Sequence, residues 1–119
     1  MNARPDQSGY GIGVTGVGKY LPDGIISNQD LERSAGVSAS DILEKTGIVT
    51  RRKAAVGETT SEMSAKAARN ALEMAGIEAD QLGLIITCTF TGDYVYPAVS
   101  CRIQDMLGAS NAGTFDVMA

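Results

Sequence analysis

The apolar positions fall into two kinds of pattern. Short, nearly uncharged runs occupy residues 82–90, Leu-Gly-Leu-Ile-Ile-Thr-Cys-Thr-Phe, and 114–119, Thr-Phe-Asp-Val-Met-Ala. The first is rich in β-branched residues and has the pattern of a strand buried on both faces. Between the two runs, Val99, Ile103, Met106 and Leu107 recur at steps of three and four. That spacing predicts a helix over 97–107, with Pro97 in its first turn and Gly108 as its stop. Strand, helix and strand without a hairpin turn form a parallel β-α-β unit. A domain rarely ends on a central strand, because the edge beyond it needs covering. The pattern therefore predicts further structure after Ala119.

Earlier helices are marked by their caps. Ser27-Asn-Gln-Asp30 opens a helix to about Ala35, stopped by Gly36, and Ser38-Ala-Ser-Asp41 opens a second from Asp41 to about Lys45, closed by Thr46-Gly47. Thr59-Thr-Ser-Glu62 has capping-box spacing and leads a helix to Ala75, with Gly76 after it. Met63, Ala67, Ala68, Ala71, Leu72 and Ala75 give that helix an apolar stripe, small enough to lie close against a neighbour and expected to need one from outside the chain. Residues 77–81 read as a short connection, and 91–96 as a loop.

Residues 10–20 read as a strand with glycines at points of close backbone approach. Gly11-x-Gly13-x-x-Gly16 matches the dinucleotide fingerprint as a string. That motif needs a strand before it and a helix after it, whereas a polar tail precedes it here and the turn Leu21-Pro22-Asp23-Gly24 follows. Residues 48–56 read as extended or looping, with Arg51-Arg52-Lys53 as a solvated face or an anion site at a pocket mouth. The order β, two short α, β, α, β, α, β is that of an α/β layered fold with a substantially parallel sheet.

Composition narrows the function. The 119 residues are 44% apolar, enough for one globular domain, and the net charge of −4 argues against nucleic acid or an anionic membrane as partner. No apolar run approaches the length of a membrane span, residues 1–9 read as a disordered leader without a signal-peptide core, and the cytoplasm is the default location. With no histidine, neither a Cys-His nor a Ser-His pair can be completed within these residues. Two cysteines cannot supply the four ligands of a structural zinc site. Cys88 and Cys101 are expected mid-strand and mid-helix, as small apolar groups rather than nucleophiles.

Seven stretches carry a resemblance: Gly16-Val-Gly-Lys-Tyr-Leu-Pro22, Ser27-Asn-Gln-Asp-Leu-Glu32, Lys45-Thr-Gly-Ile48, Ala71-Leu-Glu-Met-Ala-Gly-Ile77, Tyr96-Pro97, Ile103-Gln-Asp-Met-Leu-Gly108 and Phe115-Asp-Val117. In this order and at this spacing, they resemble the N-terminal part of β-ketoacyl-acyl-carrier-protein synthase III, a condensing-enzyme family of the thiolase superfamily. The resemblance implies the first half of an α-β-α-β-α layered fold over residues 10–119. It also implies a nucleophilic cysteine two positions beyond Ala119, at the N-terminus of a helix that would stabilise its thiolate. The partner histidine and asparagine would lie in a second half.

By the same resemblance the substrate is an acyl-coenzyme A or acyl-carrier-protein thioester, no cofactor is needed, and the protein is a homodimer that meets an acyl carrier protein. The reaction implied is transfer of an acyl group to cysteine and then decarboxylative condensation with a malonyl-carrier protein, in fatty acid or polyketide biosynthesis. Ester or amide formation by the same route is an alternative, as is a non-catalytic binding or scaffold half-domain. Asp41 occupies the position of the family's adenine-stacking tryptophan. Lys45 stands in place of an arginine, keeping the charge without the bidentate fork. Lys45 and Asp41 are thus candidate substrate-binding residues, joined by Arg52 of the basic triplet, with Asp41 favouring a carrier-protein donor over coenzyme A. Tyr96, with Phe90, is the candidate acyl-pocket and dimer residue. Thr89-Phe90-Thr91 has no carboxylate where hydroxymethylglutaryl-coenzyme A synthases carry a catalytic glutamate.

Overall fold

The computed structural model describes residues 12–118. The expected leader at 1–9, the first two residues of the 10–20 segment and Ala119 lie outside them. Chain order is β1 (Gly24–Ser27), α1 (Asn28–Ala35), α2 (Ala39–Thr46), β2 (Thr50–Lys53), α3 (Thr60–Ala75), a 3₁₀ turn (Ala79–Gln81), β3 (Leu84–Cys88), α4 (Val99–Leu107) and β4 (Gly113–Val117). The expected caps form. Ser27 and Thr59 each accept the N3 amide while the N3 carboxylate, Asp30 or Glu62, accepts the cap amide. Ser38 caps α2, which starts at Ala39, two residues before the expected Asp41.

β3 and β4 pair in parallel, with Leu84 opposite Gly113 and Cys88 opposite Val117. β1 and β2 pair antiparallel, with Gly24 opposite Lys53. The main packing contacts gather into two groups: β1, β2, α1 and α2 in one, and α3, α4, β3 and β4 in the other. The core of the second group is built from small residues. Ala65 of α3, Val99 and Ile103 of α4, Ala109 and Ala112 are buried, together with Ser61 and Ser100. Small side chains at the α3–α4 contact let the helix axes approach closely.

Several expectations are corrected. Residues 12–20 form no strand: no neighbouring strand offers them a ladder, and they run instead as irregular chain along α3. There Gly16 and Gly18 lie against the backbone at Ala67, Ala71 and Ala75, where an added Cβ would fall under 3.0 Å from backbone atoms. The alanine stripe of α3 therefore meets a neighbour within this chain. The Asn70 amide donates to the Lys19 carbonyl at 2.9 Å, and Tyr20 donates to Glu58, which also pairs with Lys66 at 3.4 Å. Gly24 belongs to β1 rather than to a turn.

β3 is covered on one face, not two. Thr87 is buried on the α4 side, while Leu84 and Ile86 are 52% and 56% exposed on the other, beside exposed Phe115 of β4. Pro97 precedes the Ala98 cap instead of opening α4, and its bond to Tyr96 is cis. Cys88 and Cys101 are both exposed, since Cys88 points to the open face of β3 and Cys101 lies off the buried stripe of α4.

Candidate functional site

The candidate residues sit in two places. Asp41 and Lys45 lie one turn apart on exposed positions of α2. Arg52 is on β2, and its guanidinium donates to the Pro22 carbonyl at 3.1 Å. Arg51, next to it, is partly buried and donates to the Asn28 side chain at 3.0 Å. Of the basic triplet, Arg52 and Lys53 are thus the exposed members. No direct contact joins Asp41, Lys45 and Arg52.

Phe90 and Tyr96 lie on the loop at 89–98, between β3 and α4, and are 75% and 87% exposed. The loop borders an open cleft of about 650 Å³ whose walls include Phe90, Asp93, Tyr94, Val95, Asp116 and Met118. Phe90 faces this cleft. Tyr96 is not among its walls, so the two aromatics share a loop but not a cavity.

Two carboxylates organise this end of the molecule, and neither was singled out by sequence reasoning. Asp116, near the C-terminal end of β4, accepts the Val99 amide at 2.7 Å and the Ser100 amide at 2.8 Å, at the start of α4. Ala98 offers no side-chain cap, so a carboxylate from the neighbouring strand satisfies the orphan donors instead. Burial pushes Asp116 up, but the Ser100 hydroxyl beside it and the two amides outweigh this and hold it below the usual carboxylate value.

Asp93 has a side chain only 2% exposed. It accepts the Ser61 amide at 3.1 Å and the Ser61 hydroxyl, and pairs with Arg102 Nε at 3.1 Å. Arg102 also donates to the Ser61 hydroxyl at 3.1 Å and lies over the Tyr94 ring at 5.1 Å. Burial pushes Asp93 up as well. The Ser61 donors and the Arg102 charge overcome it, and the group is held low. A signal was present. Asp93 is the one carboxylate in residues 82–104, and Arg102 the one basic residue after Arg69. Lone opposite charges in an apolar stretch invite pairing.

The arrangement is chemically simple. Among the described residues, no cluster of His, Cys, Asp or Glu is placed to hold a metal ion, and no helix is long and apolar enough to cross a membrane. The cleft has aromatic rims and two carboxylates, both already engaged, Asp116 by the α4 amides and Asp93 by Ser61 and Arg102. Among the described residues neither thiol has a basic partner to activate it as a nucleophile.

No family model matches the chain. It is 44% identical over 106 residues to β-ketoacyl-[acyl-carrier-protein] synthase III of Escherichia coli, covering 89% of this chain and 33% of that protein. The priming β-ketosynthase of a polyketide biosynthetic pathway superposes with a TM-score of 0.83 at 38% identity, over 89% of this chain and 32% of that one. The 3-oxoacyl-[acyl-carrier-protein] synthase III of Aquifex aeolicus superposes with a TM-score of 0.82 at 37% identity, over 88% and 34%. The chain spans about a third of the length of the curated relatives it matches. Its fold is part of a thiolase-like domain, and it corresponds to the N-terminal part of a synthase III-like protein of the thiolase superfamily.

Proposed function

We propose that this chain, as the N-terminal part of a synthase III-like protein, supplies one wall of the substrate site of an acyl-transferring condensing enzyme. The whole protein would take an acyl group from a thioester onto a cysteine two positions beyond Ala119 and pass it to the decarboxylated malonyl carbon on carrier protein. The observation that carries this reading is the 44% identity to a synthase III across 106 residues, with the β3-α4-β4 unit in the parallel arrangement of the solved relatives. In this reading β4 delivers the chain to a helix N-terminus, where dipole and amides stabilise a thiolate and an oxyanion. Phe90 and Tyr96 limit the acyl chain, Tyr96 across a homodimer interface. Lys45 and Arg52 attract the phosphates of the donor's pantetheine arm. The test is peptide mass mapping of the complete protein with an acyl thioester. An acyl group on the cysteine after Ala119 supports the reading, and a complete protein that never acylates there refutes it.

The 119 residues by themselves are expected to transfer no acyl group, having no histidine and no activated thiol. They are also expected to self-associate. Leu84, Ile86, Phe90 and Phe115 leave an apolar face open beside an unpaired strand edge. Size-exclusion chromatography and incubation with an acyl thioester check both. A sharp monomer peak, or a stable adduct on Cys88 or Cys101, would contradict them.

A carrier-protein donor is favoured over coenzyme A by one side chain. Asp41 is exposed on α2, where it offers no ring to stack on adenine and adds negative charge near a phosphate. Asp41→Trp in the complete protein is expected to raise kcat/KM for a coenzyme A thioester relative to the carrier-protein thioester. An aromatic contact worth about 0.5–1.5 kcal/mol corresponds to roughly two- to twelvefold. An unchanged ratio would place Asp41 away from the adenine.

A further inference from the structure

The loop at 89–98 carries both aromatics of the proposed acyl pocket, and among the described residues both are exposed. Its anchors are polar and lie between the two. The Thr91 carbonyl accepts the Thr60 hydroxyl at 2.5 Å. Asp93, three residues after Phe90 and three before Tyr96, is bound by the Ser61 amide, the Ser61 hydroxyl and Arg102. Arg102 then covers Tyr94 on the same loop. The loop is thus fastened at its middle to the first turn of α3 and to α4.

Capping accounts for only part of this arrangement. The capping box of Thr59 and Glu62 serves the cap and N3 amides, and Asp93 accepts the N2 amide of Ser61, but its bonds to the Ser61 hydroxyl and to Arg102 go beyond what the helix end needs. A loop of this length left free would sample many backbone states, and ordering it costs entropy at every residue. A buried charge-assisted cluster at its centre is a strong way to select one of them.

We infer that Asp93 is a positioning residue: joined to Ser61 and Arg102, it sets where the 89–98 loop presents Phe90 and Tyr96, and so the length of acyl chain the protein accepts. This rests on the acyl-transfer reading above. Neither Asp93 nor Arg102 needs to touch the substrate, because a shift at residue 93 is carried over three residues in each direction.

The experiment uses the complete protein and its Asp93→Asn and Arg102→Gln variants, the second acting from the more exposed partner in case the first folds poorly. Carrier-protein thioesters of acetate and octanoate are the probes. Each variant is expected to change the octanoyl-to-acetyl ratio of kcat/KM at least fivefold, mainly through KM, with Arg102→Lys within twofold of the parent. Hydrogen exchange of the amides at 89–98 is expected to rise at least tenfold in Asp93→Asn, with the second half of α3 unchanged. Faster exchange with a ratio that moves less than twofold overturns the proposal, leaving a purely structural tether. Unchanged exchange overturns it too, since the loop is then held by something else. If the parent protein transfers neither acyl group while exchange still responds, the acyl-transfer reading has failed and the selectivity role falls with it.

Discussion

Replacing Gly18 by alanine is expected to destabilise the complete protein by about 2–3 kcal/mol, the cost of forcing an extra methyl into a packed contact. The added carbon would meet the Ala67 carbonyl oxygen and the Ala71 amide nitrogen and Cα of α3. These are backbone atoms that cannot rotate aside, so either the 12–20 segment or the helix must move. Moving the segment also strains the Asn70–Lys19 hydrogen bond and the Tyr20–Glu58 contact that hold it. Gly13→Ala is the control, because nothing lies within 4 Å of its added carbon, and it is expected to stay within about 0.5 kcal/mol of the parent. Urea denaturation of both variants checks this. Equal midpoints for the two would mean that the segment does not rest on α3 as described.

Asp93→Ala is expected to cost about 3 kcal/mol, near the lower end for breaking a buried ion pair. It strands the Ser61 amide and hydroxyl, each a buried donor left without its acceptor. Arg102 is less exacting, because its partly exposed side chain can turn toward water. The effect carries its own pH signature. Asp93 in the folded protein is held below its ordinary 3.8, so its contribution is fully present above that value and is lost as pH falls through the lower folded value. Parent and variant should differ by the full amount at neutral pH and converge in acid. A gap that stays constant to the lowest pH at which the protein remains folded would show that lost packing, not lost charge, is responsible.

How much of this was legible beforehand depended on the range of the interaction. The helix starts at Ser27, Ser38 and Thr59 are local events, set by a hydroxyl reaching an amide three residues on, and the sequence states them openly. The parallel β3–β4 pair followed from its apolar runs, because few other architectures accommodate two such strands joined by a helix. Residues 12–20 show where that logic ends. Their glycines did mark close backbone approach, but the partner was the alanine face of α3 rather than another strand, and periodicity cannot tell these apart. The exposure of Leu84, Ile86 and Cys88 was equally hidden, since composition reports what a strand tolerates and not what covers it. The site divides the same way. Lys45, Asp41, Phe90 and Tyr96 were named from resemblance and Arg52 from its basic triplet, whereas Asp93, Ser61 and Arg102 meet only because α3 and α4 cross. Asp116 caps a helix seventeen positions before it in sequence, a contact that exists only once β4 is in register.

The division of the packing into two groups has a bearing on cooperativity. β1, β2, α1 and α2 hold one another, while α3, α4, β3 and β4 hold a separate set, so the molecule has the anatomy of two foldons rather than one. Asp41, Lys45 and Arg52 belong to the first, and the 89–98 loop is tied to the second. The Tyr20–Glu58–Lys66 cluster ties the chain before β1 and the chain before α3 to α3 itself, in the second. A pantetheine arm gripped by the first foldon and an acyl chain measured by the second would span a boundary of local unfolding. Ligand occupancy would then register as protection against opening in both units at once, a coupling through stability and not through any direct contact between the two ends of the substrate.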